Sequence, residues 1–269
     1  MHRRSATRPA SAIHLTRGLP TGDAWSVSHP EMRAFFGLLA QHNSDLVENA
    51  RAIEIGSYDV NGTLRSTFAG ATTYVGVDLE HGPGVDLVAF GHEVDEPDGT
   101  FDLAVSGSCF EHDPHWRETF TNMVRLTRPG GLVAFSCASN GFPEHGTLRT
   151  MATDAPGTQA VGIDYYRNLA AADFGGLPLG EWFSEWRFWF VPTTMELFFS
   201  GIRAGGAGGR IPEDAEIEAI GALMPFQHRA VRFPLRVARR IVRDDERYQR
   251  TILPYWQAMH RRFGEHAVR

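Results

Sequence analysis

An open α/β fold on a mostly parallel sheet is what this chain predicts, and three observations carry that prediction. Short apolar runs rich in β-branched residues recur at 52–55, 73–79, 85–88, 101–106 and 132–135, separated by polar or helix-compatible sequence. The first run empties into a small-residue loop beginning at Gly56, and the second ends on an acid, Asp78. A Pro129-Gly130-Gly131 turn introduces the fifth run.

Taken in order, residues 1–22 form a polar arm rich in Ser, Thr, Arg and Pro. Ser28-His29-Pro30-Glu31 then supplies a cap, with proline and an acid in the first turn of a helix whose apolar face is Met32, Phe35, Phe36, Leu38, Leu39 and Leu46. After the first strand and its loop, residues 63–68 start a crossover helix toward the second strand. Val85-Asp86-Leu87-Val88 is the third strand and Phe101-Asp102-Leu103-Ala104-Val105-Ser106 the fourth. Two aromatic, β-prone runs at 185–190 and 195–202, joined through Pro192 and Thr193, form an antiparallel pair.

The cluster Gly205-Gly206-Ala207-Gly208-Gly209 breaks this pattern, and beyond it the composition shifts toward arginine and helix. Pro212-Glu213-Asp214 starts one helix. Residues 232–250 then interleave Arg236, Arg239, Arg240, Arg243, Arg247 and Arg250 with Leu235, Val237, Ile241 and Val242. Asp244, Asp245 and Glu246 offset the basic run, so a solvated face is expected, with contact to an anionic membrane or polyanion as the alternative. The divisions are an N-terminal arm and helix over 1–50, a core over 51–204, and a helical extension over 205–269.

With 269 residues and 42% hydrophobic content, the chain can bury one sizeable core and carry appendages. A net charge of −6 and a core without a basic face disfavour nucleic acid. No apolar run approaches the ~20 residues of a bilayer-spanning helix, and the Arg-rich N-terminus lacks a signal peptide's apolar centre. A cytoplasmic protein without a transmembrane segment is therefore expected. Cys109 and Cys137 suit reduced, part-buried thiols. All 26 basic residues are arginine, which removes lysine as general base, Schiff-base former or phosphate clamp.

The stretch from Ala52 to Leu79 has the layout of a nucleotide-cofactor cradle. A dinucleotide fingerprint wants glycine where Tyr58 stands, and the third glycine is displaced to Gly62, so a pyrophosphate fits poorly. Glu54, two residues before Gly56, suits a cationic ligand instead, and Asp78 is placed to accept hydrogen bonds from a ribose diol. Together with Phe110-Glu111-His112 beyond the fourth strand and the Pro-Gly-Gly turn, the loop Glu54-Ile55-Gly56-Ser57-Tyr58-Asp59-Val60-Asn61-Gly62 resembles that of class I S-adenosylmethionine-dependent methyltransferases, in the branch reading E-I-G-S-Y-x-x-N-G. The resemblance covers roughly residues 52–136.

That resemblance implies a Rossmann-like seven-stranded sheet in the order 3-2-1-4-5-7-6 with the last strand antiparallel. It also implies a first helix beside the cofactor cleft, as a lid or packed on the sheet. S-adenosylmethionine is the implied cofactor, with Glu54, Gly56, Ser57 and Tyr58 at its methionine end, Asp78 and Leu79 at the ribose, and Ser106 and Gly107 beneath the sulfonium. Where the family often carries an acid for adenine, this chain has Ala89-Phe90-Gly91-His92. Phe90 is expected to stack on the base, with Gly91 and other backbone groups, or His92, at its edge.

Methyl transfer asks the protein to align the acceptor, exclude water and, for a hydroxyl, remove a proton. His112 and His145 are the candidate bases, with Glu111 as the neighbouring carboxylate; they lie in Glu111-His112-Asp113-Pro114-His115 and Pro143-Glu144-His145-Gly146-Thr147. Mg²⁺ on Glu111, Asp113, His112 and His115 is a second option, but that ion prefers an all-oxygen octahedron and no metal site is assigned.

Residues 138–164 are too many for a plain connection and read as a substrate-covering loop. Tyr165, Tyr166, Trp182, Phe183, Trp186 and Trp189 add aromatic surface suited to a sugar or glycoside. The expected function is methyl transfer from S-adenosylmethionine to a small polar acceptor, a hydroxyl of a sugar, glycoside or natural product. The alternatives are N-methylation of an amino sugar or amine, and a non-catalytic binding protein on the same fold. A homodimer is compatible with the chain.

Overall fold

Alternation along the strands sorts the core residues into two layers, one on each face of the sheet. The computed structural model describes residues 30–60 and 62–263; the polar arm, Ser28-His29 and Asn61 lie outside them. In chain order, α1 (Pro30–His42) and α2 (Ser44–Val47) precede β1 (Arg51–Ile55), and β2 (Thr73–Asp78), β3 (Leu87–Val88) and β4 (Phe101–Gly107) follow. Next, α3 (Trp116–Leu126) leads into β5 (Thr127–Ala138), and α4 (Pro156–Ala160) and α5 (Leu179–Trp182) precede the hairpin β6 (Phe183–Val191) and β7 (Glu196–Arg203). Three further helices are α6 (Asp214–Gly221), α7 (Phe226–Ile241) and α8 (Asp245–Phe263). The sheet order is β3-β2-β1-β4-β5-β7-β6, with β7 antiparallel to both neighbours, as the family resemblance implies.

Residues Ile53, Ala104, Val133, Phe135 and Phe199 face one layer, which α3 completes with Phe120 and Met123. Their strand neighbours Ala52, Leu103, Val105, Ala134 and Phe198 face the other, completed by Phe35, Phe36 and Leu39 of α1 and by Ile217 and Ile220 of α6. Burial on both faces is what a parallel sheet requires. Of the two placements open to the first helix, packing on the sheet is the one adopted: Phe35 stacks on Phe198 with ring centroids 4.6 Å apart. Met32, in its first turn, still reaches the cleft.

The crossover after β1 departs from expectation. Residues 63–68 form no regular helix but a turn closed by the Phe68 amide donating to the Leu64 carbonyl at 3.3 Å. Gly62, Thr63, Ser66, Thr67 and Gly70 give helix little support, and burial of Leu64 and Phe68 pins the turn instead.

A third apolar cluster lies beyond the carboxyl end of β5. Ala138, Phe142 and Met195 meet Leu235 of α7 and Tyr248, Ile252 and Trp256 of α8. Polar bonds lock the seat: the Tyr248 hydroxyl donates to the Gly141 carbonyl at 2.7 Å, and Gln249 brackets the chain by donating to Phe142 O at 2.8 Å and accepting from Glu144 N–H at 2.9 Å. The C-terminal helices therefore stand over the edge where open α/β sheets hold ligands. Among the described residues, no helix is long and apolar enough to cross a membrane.

Candidate active site

The carboxyl ends of β1, β2, β4 and β5, a segment between residues 142 and 163, and α8 surround a cavity of about 530 Å³. Glu54, Gly56, Tyr58, Asp78, Leu79, Phe90, Gly91, Gly107, Glu111, His112 and His145 all line it. Two residues expected at the cofactor do not. The Ser106 hydroxyl is fully buried and donates to the Ile55 carbonyl at 2.8 Å, tying β4 to β1. Ser57 is buried against Gly76, where an added Cβ would fall 2.7 Å from its Oγ. His92 also stays out of the lining and packs against the Phe90 ring, centroids 5.4 Å apart.

Gly56 draws the first loop against the loop after β4. It has φ +80°, and a Cβ there would lie 2.5 Å from Cβ of Cys109, so both conformation and space require glycine. Burial pushes the Cys109 thiol up, which keeps it a neutral wall of the cavity. Across the cleft, Asp78 accepts the Tyr58 amide on Oδ2 at 3.0 Å and the Leu79 amide on Oδ1 at 2.7 Å. Each oxygen keeps a further acceptor direction. Burial raises the Asp78 pKa against these two bonds. Gly157 of α4 rests on this carboxylate, since a Cβ there would be 2.0 Å from Oδ1. Glu54 accepts from the Tyr74 hydroxyl at 2.7 Å, the Thr63 hydroxyl at 3.2 Å and the Leu64 amide at 3.4 Å, while burial lifts its pKa to about 7.

At the other end of the cavity, His112 and His145 meet Nε2 to Nε2 at 3.3 Å with their rings perpendicular. Nδ1 of His145 lies 3.2 Å from the Pro143 carbonyl, which can only accept, so this nitrogen carries the proton and Nε2 presents a lone pair. Gly146 makes the approach of the two rings feasible, because a Cβ there would sit 2.6 Å from Cε1 of His112. Burial first, and His145 second, lower the His112 pKa well below its ordinary value, leaving a neutral ring at pH 7. Glu111 is buried, with its pKa lifted by burial to about 7 and its Oε2 without a hydrogen-bond partner. One side-chain donor atom each of Glu111, His112 and His145 lies within 4.8 Å of the others.

Asp113 and His115 take no part in that group. The Asp113 carboxylate accepts the Thr119 hydroxyl at 2.5 Å and the His115 amide at 2.7 Å. The carboxylate set considered for Mg²⁺ is thus not assembled; one carboxylate with two imidazoles is a poor match for a hard cation.

Sequence reasoning missed the wall built by the C-terminal helices, including Arg232, Leu253, Trp256, Gln257, His260 and Arg261. Arg232, expected on a solvated face, is completely buried; its Nη1 donates to the Thr194 carbonyl at 2.6 Å and its guanidinium lies over Phe142 and Trp256. Its charge answers Glu196, whose pKa burial raises to about 8, and Glu31, also raised by burial. Arg232→Leu should lower unfolding free energy by about 3 kcal/mol, measured in urea, because two buried acids lose their cation. Adding Glu196→Gln should recover part of that loss; a single variant as stable as the parent would mean the charges are solvated. The aromatic platform also lies elsewhere than expected. Phe183 and Trp189 belong to the core and Trp186 lies outside the cavity lining; the aromatic lining is Phe142 and Trp256, with Tyr58 and Phe90 at the cradle end.

A family model described as a methyltransferase domain matches residues 33–201, from α1 through most of β7. The chain belongs to this methyltransferase-domain family. Two curated relatives, uncharacterized methyltransferases of Mycobacterium ulcerans and Mycobacterium marinum, are each 29% identical to the methyltransferase-domain chain over 152 residues, 48% of this chain and 60% of theirs. The chain thus spans about 60% of the length of these relatives. Among solved structures, it is similar to 1,6-didemethyltoxoflavin-N1-methyltransferase of Burkholderia thailandensis, 18% identical over 65% of this chain and 79% of the other, TM-score 0.44. It is also similar to phosphoethanolamine N-methyltransferase 2 of Haemonchus contortus, 13% identical over 65% and 52% of the two chains, TM-score 0.48. The family match ends before α7 and α8, so the wall those helices add is specific to the remainder of the chain.

Proposed function

We propose that this chain transfers the methyl group of S-adenosylmethionine to a hydroxyl of a small polar acceptor such as a sugar, a glycoside or another natural product. One observation carries the reading: the acid-lined cradle of Glu54, Gly56 and Asp78 and the buried imidazole pair beside Glu111 share a single cavity.

The residues present suit that cofactor. Glu54 can pair with its ammonium, the open acceptor directions of Asp78 with its ribose diol, and Phe90 with Gly91 can flank its adenine. The lining residues contributed by β1, β2, β4 and the loops that follow β1 and β2 include no basic side chain that would take a pyrophosphate. The cofactor, when bound, supplies an electrophilic methyl on a good leaving group. The chain's own work is alignment and proton removal. Nε2 of His145 takes the acceptor's proton once the acceptor hydroxyl displaces His112 Nε2 from that lone pair, and the adjacent Glu111 stabilises the imidazolium that results. A neutral amine would need no such base.

Calorimetric titration of S-adenosylmethionine and S-adenosylhomocysteine, with NAD as control, tests the cradle. Micromolar binding of the adenosyl pair alone is the expected result, and no binding would leave a repurposed fold as the better account. The titration should depend on pH in a defined direction. Glu54 is protonated in the fold below about 7 and cannot then pair with an ammonium, so affinity should rise with pH and level off above that value. The slope approaches about tenfold per pH unit on the acid side, and Glu54→Gln should flatten it. A steep profile in that variant would assign the proton to another group.

A further inference from the structure

The helix α7 carries two apolar faces. Leu235 and the buried Arg232 turn toward the cluster that seats the helix, whereas Phe226, Phe233, Val237 and Ile241 form one stripe on the solvent side. Spacings of seven, four and four residues keep the stripe on one ridge. Phe226 is 85% exposed, Phe233 59% and Ile241 77%. Single exposed apolar side chains are ordinary, but four aligned on one helix mark a surface that meets something. The basic run was expected to be a solvated face, and these side chains are the departure from it.

Charge indicates what the stripe meets. The 226–241 segment holds no acidic residue, and Arg236 and Arg240 each follow a stripe member, Phe233 and Val237, by three residues. Among the described residues, the side chains of Arg240 and Arg243 have no hydrogen bond or ion pair. The nearby acids are already engaged. Asp245 lies 3.5 Å from Arg239, Glu246 holds Arg149 and Arg250, and Asp244 accepts the Arg247 amide at 2.8 Å. An apolar ridge flanked by uncompensated arginines is the signature of a helix lying in a lipid headgroup plane. No described helix is long and apolar enough to span a bilayer, so the contact is peripheral.

We infer that α7 docks this chain on an anionic lipid bilayer, with Phe226, Phe233, Val237 and Ile241 entering the headgroup layer and Arg236, Arg240 and Arg243 meeting lipid phosphates. Co-sedimentation of the full chain with vesicles tests this, comparing phosphatidylcholine alone with an equimolar mixture of phosphatidylcholine and phosphatidylglycerol at low and high salt. The protein should pellet with the anionic vesicles only, and salt should release it. Arg240→Gln with Arg243→Gln should weaken binding about 30-fold, from two lost charges at the surface. Phe233→Asp with Ile241→Asp should abolish it without lowering the melting temperature, since neither side chain is packed in the core. Absence of the parent from the anionic pellet at low salt would overturn the inference, as would equal partition of the aspartate variant. If the parent ignores both vesicles and is a dimer that the aspartate variant splits, the stripe belongs to a second copy of the chain, which also overturns it.

Discussion

Replacing His145 by alanine lowers kcat by ~10²–10⁴-fold on a hydroxyl acceptor and leaves S-adenosylhomocysteine affinity nearly unchanged. The separation follows from position: Nε2 of His145 faces His112, while the cradle acids stand on β1 and β2. His112→Ala should match it in kcat but also lower stability, because the His112 ring is buried and touches both His145 and Tyr166. A purely structural role for the pair is distinguished by acceptor chemistry. With a neutral amine acceptor the His145 variant should keep most of its rate, because the lost function is proton removal. Unchanged turnover of alcohols in both variants would remove the pair from the mechanism.

The fold was legible where local chemistry and topology agree. The strand runs, the Gly56 turn and the acid at the end of β2 each have one geometric meaning, and the observed sheet order satisfies them together. Pro129-Gly130-Gly131, expected as a turn before the fifth strand, instead lies inside β5, where pairing with β4 shifts register and Gly130 takes φ +77°. Ser57 and Ser106 show where such legibility ends. In a central parallel strand such as β4, which holds Ser106, both faces are buried, so apolar alternation no longer says which side chains reach the ligand edge. Ser57, in the loop after β1, turns instead against Gly76 of β2. The missing crossover helix had a warning in its threonines and glycines, overridden by the expectation of a βαβ unit. Arg232 was unreadable for a different reason. Its neighbours Arg236 and Arg240 are of the same residue type at helical spacing, and only the tertiary seat on Phe142 and Trp256 buries one of them. The exposed stripe of α7 hid behind the same pattern, because an amphipathic helix declares two faces without declaring which is packed.

Removing the Asp78 carboxylate should be the largest perturbation at the cofactor end. Asp78→Ala is expected to raise the S-adenosylhomocysteine Kd by about 100-fold, the loss of two hydrogen bonds to a charged acceptor at the conservative end of their range. Part of that loss is indirect. The same oxygens hold the Tyr58 and Leu79 amides, so the alanine variant loosens the first loop as well as the ribose contact. Asp78→Asn separates the two. Its remaining carbonyl oxygen can still accept one amide and one ribose hydroxyl, whereas its NH₂ faces a donor; it should fall between parent and alanine in Kd. Because Gly157 rests on this carboxylate, the covering segment should also loosen, read as faster amide exchange at 155–160 in the alanine variant. At saturating cofactor, kcat should fall far less than in the His145 variant, since the acceptor's proton leaves at the other end of the cavity. A Kd equal to the parent's would place the ribose elsewhere and undo the cradle assignment, whatever the histidines do.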